Sequence, residues 1–391
     1  MSGIEPQTHA AANSGVGDVA PPLAGITVVD LSELLPGPFF TQNLAELGAR
    51  VIKIERPPHG DNARRMGAGV FEAVNRGKQS LLVDLKAQRG RDDVLALLAD
   101  ADVLVESYRP GVMGRLGLDA ATLCERFPRL VCVSLSGYGQ QGPWAQLPGH
   151  DINYLAACGA LAVSGEAGGG PAQSFGLPLA DLCGAMYALS ATLAALLQRD
   201  RTGRGQHLDV ALADCALHWM NVRFGAWREA GAQTLAAQRD MALVKPAYGA
   251  FRCADGRYLS VAALEDHFWQ RLCEVLPLAP FDGDAWRTLS ARKSEAQAIN
   301  ARLAQALAAW DADQAFDLLA RADVPAAPVV EPADVAALPQ FSIRDKFPHE
   351  GAGDVLPLAR FPVPMAGLAP GGPGHAPTLD DARASRGDGR L

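Results

Sequence analysis

The sequence lacks the features that mark several common protein classes. None of its 7 cysteines forms a C-x-x-C spacing, and none of its 8 histidines forms an H-x-x-x-H spacing. Neither a disulfide framework nor a metal site is therefore predicted. A scattered, odd number of cysteines is typical of the reducing cytoplasm, where we expect the protein to act. Aromatic residues are also few, at 6%.

Positive charge and long apolar runs are scarce as well. The net charge is −8, so a nucleic-acid partner is not expected. No apolar run reaches about 18 residues without a charge, which predicts no membrane span. The first 20 residues have no apolar core typical of a signal peptide. Residues 1–21 are rich in Ala, Gly and Ser and are predicted to form a disordered tail.

Short apolar runs alternate with helical patterns in the first half of the chain. The predicted strands are Ile26–Leu31, Val51–Ile54, Leu81–Val83, Val103–Val105, Leu130–Leu135 and Leu208–Leu212. This alternation favours an α/β fold with a parallel, helix-covered sheet. The loop from Glu33 to Pro38 has no G-x-G-x-x-G motif, so neither an NAD site nor another redox cofactor is indicated. A Gly-rich loop, Gly137 to Pro143, follows the fifth strand, where α/β proteins bind ligands.

The pattern changes near residue 235. Phe251 to Leu259 is typical of a hairpin that turns at Asp255-Gly256, and helices are predicted at about 265–276, 294–309 and 312–321. With 391 residues, the chain is long enough for two domains. We predict a large domain over 22–230 and a smaller α+β domain over 235–340, with about 345–391 returning to the large domain.

Two segments carry the residues best suited to chemistry. Gly149-His150-Asp151 precedes one apolar run, and Asp181 precedes another in which Leu182, Met186 and Leu189 recur at helical spacing. A lone Asp at a helix start is also typical of an N-cap, and a lone Gly-His-Asp is typical of a turn. The prediction of a site therefore depends on the two segments together.

A set of motifs, in order and spacing, resembles one family. These motifs are Val29-Asp30-Leu31 with Pro36-Gly37-Pro38, then residues 49–57 (ARVIKIERP), Asn75-Arg76-Gly77-Lys78, Tyr108-Arg109-Pro110-Gly111, Ser136-Gly137-Tyr138-Gly139 and residues 201–206 (RTGRGQ). Over about residues 22–365 the chain is similar to the family III CoA-transferases, a superfamily that includes formyl-CoA transferase and the α-methylacyl-CoA racemases.

The resemblance implies a Rossmann-like large domain, a small domain and an interlocked homodimer that acts on acyl-CoA. Coenzyme A would be held mainly by the large domain. The positions that match those near the nucleotide and phosphates are Arg56, Lys78, Arg109 and Arg115, and those that line the same cleft are Tyr108, Tyr138 and Gly139. Taken singly, each cation is also typical of a solvated surface charge.

Three places are similar to the racemase branch: residues 149–154 (GHDINY), the catalytic aspartate at Asp181, and Glu265 before a small-domain helix. A 1,1-proton transfer needs one group on each face of the α-carbon, and His150 and Asp181 could serve these faces. Glu265 could hold the imidazole tautomer. Backbone N–H groups near the helix start are candidate donors to an enolate oxygen.

The first hypothesis is therefore racemisation of a 2-methylacyl-CoA. The alternatives are transfer of CoA between carboxylic acids through an acyl anhydride and a thioester on Asp181, and an inert CoA-binding protein. Two departures keep the reaction open. Residues 243–248 (LVKPAY) contain Lys245 where the racemases have a Gly-rich stretch, and residues 176–181 (GLPLAD) also resemble the transferase pattern.

Overall fold

The structure is a computed structural model that describes residues 19–347, 357–368, 372 and 374–384. Most of the predicted tail, residues 1–18, lies outside the described residues. The chain divides into two compact units: the first comprises Met1–Leu155, Pro178–Ala216 and Gln340–Leu391, and the second comprises Ala156–Leu177 and Leu217–Pro339. The domain boundary predicted near residue 235 thus falls inside the second unit, which also contains residues 156–177 and 217–234.

The described residues form nine strands and seventeen α-helices. The strands are β1 Thr27–Asp30, β2 Arg50–Glu55, β3 Gln79–Leu82, β4 Val103–Glu106, β5 Val131–Ser136, β6 His207–Ala211, β7 Tyr248–Arg252, β8 Tyr258–Ala262 and β9 Ala326–Pro328. The helices are α1 Pro36–Glu46, α2 Ala63–Met66, α3 Ala68–Asn75, α4 Gln88–Leu98, α5 Val112–Arg115, α6 Ala120–Arg126, α7 Asp151–Ala157, α8 Leu179–Thr202, α9 Leu212–Trp219, α10 Asn221–Ala230, α11 Leu235–Leu243, α12 Asp266–Val275, α13 Leu289–Lys293, α14 Ala296–Leu307, α15 Ala312–Arg321, α16 Pro339–Ile343 and α17 Asp381–Ala384. Short 3₁₀ helices lie at Leu161–Val163, Asp284–Trp286 and Pro332–Ala337.

The first unit is built on a parallel sheet of six strands in the order β3-β2-β1-β4-β5-β6. The α/β prediction is confirmed, and each predicted strand is found within two residues of its expected bounds. The direction of winding reverses between β1 and β4. Open α/β sheets bind ligands in the crevice that this reversal leaves at the carboxyl ends of the strands.

Successive residues of the central strands face opposite sides of the sheet. In β1, Val28 belongs to a core shared with α1 and α8, whereas Val29 belongs to a core shared with α4 and α6. Both valines are fully buried. A strand that is covered on both faces therefore has a continuous apolar sequence, which is why these strands were recognisable as apolar runs.

The second unit contains a three-stranded antiparallel sheet in the order β7-β8-β9. The predicted hairpin is confirmed: Gly256 has a φ of 84° at the turn, and the Arg257 N–H donates to the Asp255 carboxylate at 3.1 Å. The unit's core contains buried residues of α12, α14 and α15, with Trp269 as its largest apolar side chain.

Helix α8 is long and apolar, with a mean hydropathy of 1.5 over its most apolar 18 residues. By length and composition alone it could cross a membrane, but half of that window is buried inside the protein. Its residues Ala185, Ala188 and Leu189 pack in the core of the first unit. A core helix of this kind satisfies the same length and hydropathy criteria as a membrane span.

Candidate active site

Asp181 is the third residue of α8, and the helix begins after Pro178, whose side chain makes no capping hydrogen bond. Asp151 provides the cap from another helix. Its Oδ1 accepts from the Ala180 N–H at 2.6 Å and from the Asp181 N–H at 3.1 Å. Asp181 is therefore not the N-cap of α8, because Asp151, the first residue of α7, takes that role.

The same contacts account for the electrostatics of Asp181. Burial, and then the negative charge of Asp151, raise the pKa of Asp181 to about 7. A helix start would normally stabilise a carboxylate through its unpaired N–H groups, but two of these already bond to Asp151. Among the described residues, none donates a hydrogen bond to the Asp181 carboxylate. Such a carboxylate is basic enough to act near neutral pH and is available to a substrate.

The occupied N–H groups also change one expectation. The backbone donors at the start of α8 were candidates for stabilising an enolate oxygen. The N–H groups of Ala180 and Asp181 bond to Asp151, and the Leu182 N–H donates to the Pro178 carbonyl at 3.0 Å. These three donors are therefore used within the protein.

His150 directly precedes α7. Its N–H donates to Asn153 Oδ1 at 2.9 Å, and its carbonyl accepts from the Asn153 N–H at 2.8 Å. These bonds fix the backbone at residue 150, while the residue itself is exposed. The structure thus brings His150 and Asp181 to the N-terminal ends of α7 and α8, which Asp151 joins.

Tyr154 of α7 attaches the loop after β5 to this segment. Its hydroxyl donates to the Gly149 carbonyl at 2.7 Å. A Cβ at Gly137 or Gly149 would lie 2.4 or 2.7 Å from the Tyr154 ring, so both positions require glycine. The Tyr138 ring packs edge-on against Tyr154 with centroids 5.3 Å apart. Burial, and then the charge of Asp181, raise the pKa of Tyr154 to about 12, which keeps the phenol neutral.

Most of the predicted CoA-binding residues lie at the carboxyl ends of the strands. Arg56 follows β2 and donates to Asn62 at 2.8 Å and Glu33 at 3.3 Å, with 59% of its side chain exposed. Tyr108 follows β4, next to the reversal of the sheet, and Arg109 beside it is exposed.

The other predicted positions continue along the same edge. Arg115, in α5 after β4, is exposed. Gly139, after β5, is buried with a φ of 85°, and the N–H of Gln140 beside it donates to the Asp209 carboxylate at 3.0 Å. Exposed cations and a docked Gly-rich loop at the carboxyl edge are compatible with binding of a phosphate-rich ligand.

Lys78 is placed differently from this expectation. Its ammonium is buried and donates to Pro38 O at 2.9 Å, Thr41 Oγ1 at 2.7 Å, Asn75 Oδ1 at 2.9 Å and Asp30 Oδ2 at 3.2 Å. Burial alone would raise the pKa of Asp30, but the charges of Lys78 and Lys53 hold it at about 2. The ammonium is fully buried, so Lys78 joins the end of β1 to the first turns of α1 and does not present its charge at the surface.

Glu265 lies in the second unit, at the N-cap of α12. Its carbonyl accepts from the Trp269 N–H at 3.0 Å, and its side chain makes no capping bond. The residue is exposed. The carboxylate is therefore not needed to start the helix, and its role as a partner of His150 stays a prediction.

The sequence prediction gave no role to Asp151, although it is part of the Gly-His-Asp motif. Its function in capping α8 depends on Ala180, 29 residues away along the chain. The available signal was the absence of a capping residue before α8, since Pro178 has no polar side chain.

Comparison with known proteins identifies relatives over almost the whole chain. Residues 23–382 match the sequence model of CoA-transferase family III. The chain is 34% identical to acetyl-CoA:oxalate CoA-transferase from Acetobacter aceti, over 93% of this chain and 94% of that protein. It is 38% identical to α-methylacyl-CoA racemase from Homo sapiens, over 66% of this chain and 65% of that protein.

The fold has close counterparts among solved structures. A CAIB/BAIF family protein from Brucella suis superposes with a TM-score of 0.81 and 31% sequence identity, covering 94% of this chain and 99% of that one. The similarity therefore extends over both units, including the parallel sheet of the first and the antiparallel sheet of the second.

Proposed function

Because the chain belongs to CoA-transferase family III, we propose that it transfers CoA between carboxylic acids through Asp181. The observation that carries this proposal is the Asp181 carboxylate itself, which burial and Asp151 keep basic and which receives no hydrogen bond from the described residues. The extent of similarity supports it too, since the oxalate transferase aligns with 93% of the chain and the racemase with 66%.

The proposed reaction uses the carboxylate as a nucleophile. An Asp181 oxygen attacks the thioester carbonyl, the C–S bond breaks, and an acyl anhydride and CoA thiolate form. The thiolate then attacks the Asp181 carbonyl, which releases the first acid and leaves an aspartyl-CoA thioester. The second acid attacks that thioester to form a new anhydride, and the thiolate takes its acyl group and regenerates Asp181.

We propose that the CoA moiety binds along the carboxyl edge of the first unit's sheet. Arg56, Arg109 and Arg115 supply positive charge there, and Tyr108 lies next to the reversal between β1 and β4. Exposed guanidinium groups form paired hydrogen bonds with phosphates. Gly139 lies in the loop after β5 at the same edge, where its φ of 85° is favourable for glycine.

The covalent step can be tested by trapping. The protein is incubated with an acyl-CoA, quenched with hydroxylamine and digested. We expect mass spectrometry to find a hydroxamate on Asp181, and we expect neither the adduct nor transfer in Asp181→Asn. The exposed Asp100 in the same unit serves as the control, and Asp100→Asn should behave as wild type. Transfer without any adduct on Asp181 would contradict the proposed intermediate.

Racemisation is the second candidate, and the exposed position of His150 at the start of α7 favours it. An exposed imidazole beside the residue that caps α8 could exchange a proton at the α-carbon, with Asp181 as the opposite group. In deuterated water, a racemase would exchange the α-proton of a 2-methylacyl-CoA without any added acid. His150→Gln should then lower exchange by roughly 10²- to 10⁴-fold, far more from one enantiomer than from the other.

The two assays separate all three hypotheses. Transfer without α-proton exchange supports the transferase, and exchange without an adduct supports the racemase. If the protein binds CoA but shows neither transfer nor α-proton exchange, the results support an inert CoA-binding protein. We further propose that the protein acts in the cytoplasm as a homodimer, which sedimentation at micromolar concentration would test, since a monomer there would contradict it.

A further inference from the structure

Asn62 belongs to a turn that a buried ion pair attaches to the loop after β1. The side chains of Lys53 and Asp61 are fully buried, and the ammonium lies 2.8 Å from Asp61 Oδ2. The same ammonium donates to the Ser32 carbonyl at 2.8 Å, and Asp61 Oδ1 accepts from the Leu34 N–H at 3.0 Å. The turn after β2 and the loop after β1 are therefore fixed relative to each other below the surface.

Three side chains form a second connection between the same two segments, at the surface. Asn62 Nδ2 donates to Glu33 Oε2 at 3.0 Å, and Arg56 Nη2 donates to Asn62 Oδ1 at 2.8 Å and to Glu33 Oε2 at 3.3 Å. The Asn62 amide can be oriented in only one way here, because a guanidinium only donates and a carboxylate only accepts. The Glu33 N–H donates to Ser107 Oγ, after β4, at 3.1 Å, so these contacts lie beside the reversal of the sheet.

The position of Asn62 would also suit another role, which its side chain does not take. Asn62 directly precedes α2, where asparagine is a favoured N-cap, yet its side chain makes no capping hydrogen bond. The first N–H of the helix, that of Ala63, donates to Asp61 Oδ1 at 2.8 Å. Both polar groups of the half-buried Asn62 amide are instead engaged with Glu33 and Arg56.

The contacts of Arg56 leave part of its guanidinium available. Both hydrogen bonds are made by Nη2, and within the described ranges of the chain Nη1 and Nε donate to no protein group. A long side chain that is free in solution loses rotamer freedom when it binds a ligand, and this loss weakens binding. A guanidinium that two acceptors already hold has less freedom to lose.

We propose that Asn62 is a positioning residue that holds the guanidinium of Arg56 in the orientation in which it binds CoA. This proposal rests on the CoA site proposed above, in which Arg56 supplies positive charge. Glu33 holds the guanidinium too, but its negative charge opposes a phosphate nearby. Asn62 is neutral, so it orients Arg56 without weakening the attraction between the guanidinium and an anion.

A double-mutant cycle on CoA affinity, measured by calorimetry, tests the positioning role. We expect Asn62→Ala to weaken CoA binding roughly 3- to 10-fold, the value of one side chain ordered in advance. In an Arg56→Ala background the same change should have no further effect, because the residue that Asn62 positions is gone. Asn62→Leu, which keeps the size of the side chain, should match Asn62→Ala. The exposed Asn221 on α10 provides the matched control Asn221→Ala.

Kinetics and unfolding give readouts that a merely structural role would not reproduce. KM for an acyl-CoA should rise in Asn62→Ala by the same factor as the CoA dissociation constant, and kcat should stay within about twofold. Urea unfolding should match wild type, because no capping bond is lost. An unchanged CoA affinity in Asn62→Ala would overturn the proposal. So would equal losses in the wild-type and Arg56→Ala backgrounds, which would mean that Asn62 acts on CoA independently of Arg56.

The cycle also separates this proposal from the proposed function, since calorimetry with CoA needs no turnover. Coupling between positions 62 and 56 in a protein that transfers no CoA supports the positioning role and contradicts only the transfer. Independent losses in an active transferase refute the positioning role alone. If Arg56→Ala binds CoA as tightly as wild type does, both the placement of CoA at Arg56 and the role of Asn62 are refuted.

Discussion

Replacement of Asp181 by Asn should remove activity and stabilise the protein at the same time. The pKa of Asp181 rises from 3.8 to about 7. Because a change of one in pKa corresponds to about 1.4 kcal/mol, the ionised carboxylate costs the folded state on the order of 4 kcal/mol above pH 7. The side chain is partly exposed, and Asn is polar as well, so we expect a smaller gain for Asp181→Asn of about 2–3 kcal/mol at pH 8.

The pH dependence gives this prediction its sign. The folded protein binds the Asp181 proton more tightly than the unfolded chain does. The contribution of Asp181 to wild-type stability should therefore fall as pH rises from about 4 to about 7, and it should then level off. Asp181→Asn has no such group, so its advantage should be nearly absent at pH 4 and full above pH 7. At pH 5 the stability advantage of Asp181→Asn should be no more than about half of its value at pH 8.

Urea unfolding followed by circular dichroism from pH 5 to pH 8.5 would measure the difference. Asp100→Asn, at an exposed position of the same unit, controls for the loss of one negative charge. The reasoning would be refuted by an advantage that does not vary with pH, or by an Asp181→Asn protein that is less stable than wild type at pH 8. Either result would mean that burial and Asp151 do not penalise the charge.

Three further variants test the surroundings of the site. Arg56→Ala or Arg109→Ala should weaken CoA binding by about tenfold in calorimetry, and the loss should be smaller at high salt, because exposed cations are screened. Arg126→Ala, at an exposed position of α6, should have no effect. Lys78→Met should lower the free energy of unfolding by about 3–5 kcal/mol in urea titrations, because a buried carboxylate loses its partner, while CoA affinity of the folded protein stays the same. Asp151→Asn keeps the capping oxygen but removes a charge, so the acidic limb of the kcat profile should move to lower pH; an unmoved limb would contradict a role for that charge.

Local pattern was enough to predict the first unit's sheet. Strands buried on both faces have apolar runs, and helices have a different period, so the alternation is visible in the sequence. Strand β9, Ala326–Pro328, was missed because three residues that include a proline carry no strand pattern.

The division into units could not be predicted in the same way. Residues 156–177 belong to the second unit although they precede α8 in the first. Arg239 of α11 shows what holds them, since its guanidinium donates to the carbonyls of Ala162, Ser164, Glu166, Gly169 and Gly170. Such contacts join a loop to a helix some 70 residues further along the chain, and the hydrophobic periodicity of the sequence does not predict them.

Burial explains the different outcomes at two predicted site residues. Lys78 stands in an Asn-Arg-Gly-Lys turn whose composition suits a phosphate loop, yet its ammonium is enclosed by Asp30, Thr41 and Asn75. Asp181 stands at a helix start whose N–H groups would suit an N-cap, yet Asp151 takes those groups. In each case the residue type was informative, but the partner that decides its role comes from a distant part of the chain.

The cap made by Asp151 connects the stability of α8 with the chemistry of Asp181. A capping residue at position 178 would satisfy the same N–H groups locally, but the sequence has Pro178 there. The cap comes instead from the residue after His150, so α8 is completed only when α7 is in place. The carboxylate that stabilises the helix is then also the one that raises the pKa of Asp181. Loss of the whole Asp151 side chain would lower the cost of an ionised Asp181 and also leave the first N–H groups of α8 without their cap, whereas Asn at position 151 would keep the cap and remove only the charge.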